Sequence, residues 1–573
     1  MKTKPLPQTT PIEIGIEVQQ PPPLPREATI PNLPAHSLLS PRARSTWTRS
    51  TLTQPHSDPI IRVMQLSRLL AYLSLAITPL TALGEEFAGP TLNLSLRDCI
   101  ELAIENNLDL QISRRGPQIS NYNLSGSYSA YDPTLRVETT GSQSTRPGNF
   151  NQETGEFNNG GYSQSLSYLT SLNGLLPLSG LRYSAFTSIG RTENGLDQPL
   201  FNDYTVAAGA NLTLPLLRDS WIDSFRTTIE INKENLKRSE LDLQQQVMLT
   251  LLQVEQAYYD LVYARETITV QQTAFEAANR LLQENRKRVE VGAMAPLEEK
   301  SAEAQAAASR ASLIAAQGNY GTSMRILKNL ISADYSPMRD TVLNPTEKLS
   351  AIPTSPQVQD SWLKGLTQRP DLETLRLALR QRNINIRYQK NQLYPVLDLV
   401  GSYRAVGYAN DAIGISIPGD AQFPSAFNDV ARRRVPSSSI SLQLSVPLGN
   451  ISARNNLRAS RAALEQALLT LKKQEQQVMV EIDNAIAMVR TNFERVGATR
   501  EAREFAKDAW DAEQKKLENG KSTSYEVLLK QRDYIRTLSD EIQALSDYNK
   551  TLADLSYKEG SILERHNLGI EIQ

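Results

Sequence analysis

Cysteine and histidine are close to absent from this 573-residue chain: Cys99 is its one thiol, and His36, His56 and His566 are its only imidazoles. A single cysteine excludes a disulfide framework. The scattered histidines leave no His/Cys cluster for zinc and no Cys–His pair at a catalytic spacing. Neither a GxxxxGK[ST] loop nor a GxGxxG turn between strand and helix is present, so the common phosphate cradles are missing. The sequence calls for no cofactor and gives no sign of an enzyme. Aromatic residues make up 6% and the net charge is −1, which is thin for a large globular core and leaves no basic footprint for nucleic acid. No apolar run reaches the roughly 20 residues that a spanning helix needs.

What is present begins with a change of composition. Residues 1–60 hold 12 of the 31 prolines and no apolar period, so 1–63 reads as a disordered, Pro-rich preamble lying upstream of the true start. "MQLSRLLAYLSLAITPLTALG", 64–84, then places Arg68 before an apolar run over 69–83 and ends on Ala82-x-Gly84. That is a secretory signal, with Met64 as the start and cleavage before Glu85. No cysteine directly follows the cleavage point to carry a lipid anchor.

The remainder is written twice. "LSLRDCIELAIENNLDL" opens with Ser95 and Asp98 as a capping box, and puts Leu96, Cys99, Ile100 and Ala103 on one helical face. Cys99 on that stripe reads as a core residue. Alternating stretches follow: "TLRVETT", "YTVAAGANLTLPLL", "VLDLVGSYR" and "SISLQLSVPLG". In the last, Ile440, Leu442, Leu444, Val446 and Leu448 oppose Ser441, Gln443 and Ser445. Segments of about 10 residues, apolar on one side and polar on the other, suit a lipid-facing barrel strand, although a half-buried soluble sheet alternates in the same way. Each strand pair leads into a very long helix, about 221–289 and 451–517. After Gly292 or Gly520 a return helix runs over about 296–332 or 524–563. The repeats span 92–333 and 369–565, and a Pro-bearing linker, 334–368, joins them.

With "LSLRDCIELAIENNLDL", "RPDLETLRLALRQRNINIRYQKNQLYPVLDLVGSY", the "LTLPL" and "LSVPL" strand ends and the paired Gly turns, the sequence resembles the TolC-like outer membrane efflux proteins over 92–565. The resemblance implies a mainly α fold with a β-barrel: a homotrimer whose protomers share one transmembrane barrel and one α-helical periplasmic tunnel. It also implies a passive exit duct in a tripartite efflux or type I secretion system, with a periplasmic adaptor, an inner-membrane pump and outer membrane lipid as partners. Four strands cannot close a barrel alone, and open edges are not tolerated in lipid, so oligomerisation would supply the closure. One stretch departs from the pattern. "YSQSLSYLTSLNGLLPLSGLRYSAFTSIGR" is strand-like and extra, and would either widen the barrel or fold outside or over its mouth.

Each Gly turn permits the left-handed residue that a helix reversal needs, and the resemblance implies that the two are the hairpins at the far end of the tunnel. By resemblance Val291, Gly292, Ala293 and Met294, with Asn519, Gly520, Lys521 and Ser522, are the adaptor-contact positions. Well-formed turns alone explain the glycines but not the apolar Val291 and Met294. Glu298 and Glu526 each lie six residues after their glycine. A first-turn carboxylate stabilises a helix dipole by about 0.3–1 kcal/mol, and Thr523 with Glu526 reads as a capping box. The resemblance adds a second role, an acidic constriction at the periplasmic entrance. Ser522 stands where the family often has a basic residue, which argues against a closing salt bridge there. Arg432-Arg433-Arg434 reads as an exposed loop run, with lipid headgroups as the alternative partner. The competing interpretation of the whole chain is a periplasmic or cytosolic long-helix scaffold, which has no use for lipid-facing strands.

Overall fold

The computed structural model describes residues 90–569 apart from 154, 159, 178, 196–198 and 413–422. The expected preamble, signal and cleavage point lie outside the described residues. Strand β1 (Thr91–Leu94) leads into α1 (Leu96–Asn106), α2 (Leu108–Ser113) and α3 (Arg115–Ser127). Strands β2 (Thr134–Arg146), β3 (Asn149–Asn151), β4 (Glu156–Asn158), β5 (Gly161–Leu175), β6 (Arg182–Gly195) and β7 (Pro199–Pro215) come next. Then follow α4 (Ser224–Glu290), α5 (Pro296–Ile331), α6 (Tyr335–Met338), β8 (Val342–Pro345), α7 (Val358–Gln368) and α8 (Pro370–Asn391). The chain closes with β9 (Val396–Ala412), α9 (Phe423–Ala431), β10 (Pro436–Ser445), α10 (Ile451–Glu518), α11 (Ser524–Lys558) and α12 (Ile562–Arg565).

Helices α4 and α1 start at side-chain caps, whereas α10 begins behind Asn450 without one. Asp223 accepts from the Arg226 amide at the head of α4, and Ser95 and Asp98 form both halves of the capping box at α1. Uninterrupted helical periodicity then carries α4 for 67 residues and α10 for 68, each about 100 Å at 1.5 Å per residue. Helix α4 packs along α5, α3, α8 and α11, while α10 packs along α11, α8 and α7. One core gathers Cys99, Ile100, Tyr258, Leu261, Tyr320 and Leu327, and a second gathers Leu372, Val478, Ile482, Val489 and Tyr548. Burial pushes the Cys99 thiol up to about 12, with Asp98 and Glu347 adding to the effect; this is an inert core thiol. Arg369, at the junction of α7 and α8, donates to Asp371 at 2.8 Å and Glu481 at 2.9 Å, tying that junction to α10.

The strands form one antiparallel sheet in the order β10-β9-β7-β6-β5-β2. Register puts Leu135, Leu172, Ala185 and Ala210 level on one side, with Tyr403 and Ser438 continuing the row. The same side carries Val137, Leu212, Leu399, Leu442 and Leu444. Serine, threonine and asparagine dominate the other side, including Ser165, Ser167, Asn211, Ser402 and Ser441. From Leu214 to Val206, β7 presents only uncharged residues to the apolar side, about 26 Å of strand. The ion pair Arg191–Glu193 on β6 begins directly beyond. The short α9 lies on the apolar side past that point, where Ala426 packs on Val206 and Ala409. Gly407 makes this approach possible: a Cβ there would lie 1.9 Å from the Ala426 oxygen.

Several sequence expectations change. The extra strand-like stretch is β5 and β6, paired on both flanks inside the sheet, so one chain supplies six strands to this sheet and not four. Those six leave β2 and β10 as open edges, and the single chain closes no barrel. The linker is built: β8 pairs in parallel with β1, and α7 packs on α10. The last strand ends at Ser445, leaving Val446 and Leu448 outside it, and the second return helix stops at Lys558. Arg432 to Arg434 directly follow α9, with Arg434 paired to Asp429 at 3.0 Å.

Candidate functional site: the two helix tips

Both reversals are made the same way. Past α4, the Gly292 amide donates to the Val289 carbonyl at 3.0 Å and the Ala293 amide to Arg288 at 2.8 Å. Past α10, Gly520 donates to Leu517 at 3.0 Å and Lys521 to Lys516 at 2.8 Å. This nested pair of bonds absorbs the last helical carbonyls and needs a left-handed residue in the middle. Gly292 has φ 71° and Gly520 φ 70°. The sequence-predicted contact residues therefore sit on two matching projections. Val291, Gly292, Ala293, Asn519, Gly520 and Lys521 are exposed, with Met294 and Ser522 half-buried. Val291 is 78% exposed, a large apolar side chain left bare among the described residues.

The two tips lie at one end of the molecule, because Ser524 at the head of α11 donates to the buried Asn285 near the end of α4 at 3.2 Å. Sequence reasoning missed this link; its partners are 239 residues apart, and nothing local marks it. The return helices start differently. Pro296 opens α5 behind an uncapped Ala295, whereas the Thr523 hydroxyl accepts from the Glu526 amide in α11. Only that half of the expected capping box forms. The Glu526 side chain does not return to the Thr523 amide and is exposed.

Charge at the tips is unevenly satisfied. Glu299 pairs with Arg286 at 3.1 Å and Glu303 with Lys300 at 2.8 Å. Glu513 pairs with Lys516 at 2.9 Å and accepts from Ser522. The Ser522 and Lys516 hydrogen bonds hold the Glu513 carboxyl below its usual range. Ser522 thus closes its own turn with a hydrogen bond to Glu513. Among the described residues, Glu298 and Glu526 have no ion-pair or side-chain hydrogen-bond partner. Glu290 and Glu518, at the ends of α4 and α10, are likewise exposed and without such a partner among the described residues. Also among the described residues, no group of three His, Cys, Asp or Glu could hold a metal, and no helix is long and apolar enough to cross a membrane.

Long paired helices with matched tips, joined to a sheet polar on one side and apolar on the other, recur in known proteins. The pattern of the family described as Outer membrane efflux protein matches residues 176–333 and 364–557, more than half of the chain. The outer membrane efflux protein BepC of Brucella suis is 22% identical over 459 residues, covering 80% of this chain and 83% of that one. The fold is similar to the CmeC outer membrane channel of Campylobacter jejuni, at 18% identity over 83% of this chain and 90% of that one, with a TM-score of 0.57. It is also similar to the outer membrane protein VceC of Vibrio cholerae, at 14% identity over 81% and 96%, again with a TM-score of 0.57. The chain belongs to the outer membrane efflux protein family: a channel protein of the outer membrane that acts in efflux.

Proposed function

We propose that three copies of this chain form one continuous duct, a shared β-barrel in the outer membrane and a helical tunnel through the periplasm. Through it an inner-membrane pump and a periplasmic adaptor pass their cargo. The observation that carries this reading is the sheet itself. It is amphipathic across its whole width and ends in two unpaired edges, a state lipid does not allow until other copies close it. The apolar side faces lipid and the polar side the lumen. Exposed Ile112, Ile119 and Tyr122 on α2 and α3, and Leu468 and Leu469 on α10, are the apolar surfaces that neighbouring copies cover.

The tips face the adaptor. Val291 and Met294 give it an apolar contact, and Asn519, Gly520, Lys521 and Ser522 a polar one. Threefold symmetry turns Glu298 and Glu526 into rings of like charge that draw cations into the entrance. The duct performs no chemistry of its own; the pump supplies the energy. Fractionation tests the reading most simply. Extraction from the outer membrane as a detergent-dependent trimer is the expected result, and a soluble elongated particle would replace the duct with a scaffold.

A further inference from the structure

The β5–β6 hairpin is part of the wall. Its outer flank pairs with β2 from Thr134 opposite Asn173 to Arg146 opposite Gly161, and its inner flank pairs with β7 from Arg182 opposite Thr213 to Asn194 opposite Phe201. A lid or plug would leave at least one of these flanks unpaired. Its faces also obey the wall's division. Leu166, Tyr168 and Leu172 lie on the apolar side, with Ser163, Ser165 and Ser167 on the polar side.

The hairpin is anchored at the level where the other strands begin. The turn between β5 and β6 closes with the Leu176 amide donating to the Leu181 carbonyl at 2.8 Å. Arg226, in the first turn of α4, donates to the Pro177 carbonyl at 2.9 Å and to the Ser220 carbonyl at 2.8 Å, and pairs with the capping Asp223 at 3.5 Å. Gly180, with φ +69°, sits against the Asp219 carbonyl, which a Cβ would approach to 3.1 Å. The insertion is thus bolted to the junction between sheet and helix.

We propose that the assembled duct opens through an eighteen-stranded barrel, six strands from each of three copies, with an outlet wide enough that size selection falls on the helix tips. The proposal rests on the trimeric reading above. Two features make a second copy the partner for each edge. The edge strands β2 and β10 run in opposite directions, because six strands alternate without exception, so β10 of one copy meets β2 of the next antiparallel. The apolar faces also continue across the seam, with Leu135 and Val137 on one edge and Leu442 and Leu444 on the other. Barrel diameter grows roughly in proportion to strand number, so eighteen strands give a mouth about 1.5 times as wide as the twelve expected from four per copy. Walls of about that size enclose open water. The added lumen surface is hydroxyl-rich, with Arg182 at the helix end of β6 as its one charge, which suits bulky hydrophilic cargo and adds little charge filter.

The test is electron microscopy of the full wild-type protein in detergent or nanodiscs, at a resolution that counts strands. A trimer with eighteen strands is the expected result. A trimer with twelve wall strands and the hairpin outside them would overturn the proposal and leave the duct standing, whereas absence of a trimer would overturn both. A second reading comes from polyethylene glycols of graded size added on the barrel side of a planar bilayer. Wild type should admit polymers about 1.5 times larger in radius than a variant lacking 161–195, in which β2 pairs with β7. Equal cut-offs would also overturn it.

Discussion

The two halves of this chain agree in their helices and disagree in their sheets. The first long helix has 67 residues and the second 68; the return helices have 36 and 35. Against that match, the first half supplies four strands of the large sheet and the second only two, with α9 between them. The difference teaches which dimension is constrained. Both helical hairpins must end at one level, where Ser524 meets Asn285, so a residue gained in one would misplace its tip. Strands have no such constraint, because an added antiparallel hairpin returns the chain to the end from which it left. In the proposed duct, the wall widens in pairs of strands while the tunnel keeps its length.

Breaking the sheet should give the largest effect. Leu444→Arg places a charge on the apolar side at a cost of about 2–4 kcal/mol near the bilayer midplane, so trimer yield should collapse. Gln443→Arg, one residue away and level with Asp398 on the polar side, should assemble normally. Equal yields would reverse the assignment of faces. Next comes the Arg369 knot of the second half, which has no counterpart among the described residues of the first. Arg369→Ala strands two partly buried carboxylates and should cost about 2–3 kcal/mol, somewhat under the 3–5 of a fully buried pair.

Acid should act through the same knot. Burial alone would raise Asp371 and Glu481, but hydrogen bonds and charge from Arg369 outweigh it and hold both below their ordinary 3.8 and 4.5. Their contribution is therefore complete above those values and lost as pH falls through the depressed ones. Melting curves of Arg369→Ala should lose part of the wild-type decline in that acid range; an unchanged decline would assign the acid sensitivity elsewhere.

At the tips the halves should respond alike to one change and differently to another. Gly292→Ala and Gly520→Ala should each cost about 1–2 kcal/mol of hairpin stability, from left-handed backbone alone, because a Cβ at either position meets nothing within 4 Å. Asparagine should recover much of the loss. Unequal costs, read by hydrogen exchange at the two tips, would show that one turn is held by something beyond its own backbone. The smallest effect belongs to Thr523→Ala, about 0.5–1 kcal/mol for a lost cap. The first half has no equivalent, since Ala295 caps nothing.

The helices, the Gly turns and the caps were legible in the sequence because their causes are local. An unbroken 3.6-residue period fixed both long helices to within three residues, and Gly292 and Gly520 marked where they stop. The position of β5 and β6 was not legible. Alternation says which side a residue faces, never which strand lies beside it. Helix α3 escaped notice because it buries no residue in its own protomer and so shows little apolar stripe. At the candidate site, sequence gave the two glutamates their place, but their lack of partners depends on Arg286, Lys300 and Lys516 reaching other carboxylates. Half of the Thr523 capping box failed for a related reason: an exposed Glu526 side chain gains little by bending back when water solvates it.

The central claim is that the matched tips form a charged entrance to a conducting path, and ion selectivity in a planar bilayer tests it most directly. Purified wild-type protein should give discrete current steps with a cation-selective reversal potential. The double variant Glu298→Gln/Glu526→Gln should keep the steps, lose most of that selectivity and resist block by multivalent cations. Glutamine keeps the size of each side chain and forfeits only its interaction with the helix dipole, about 0.3–1 kcal/mol per position, so the fold should survive. Selectivity that survives in the double variant would contradict the acidic entrance and leave the two glutamates as helix-dipole residues alone.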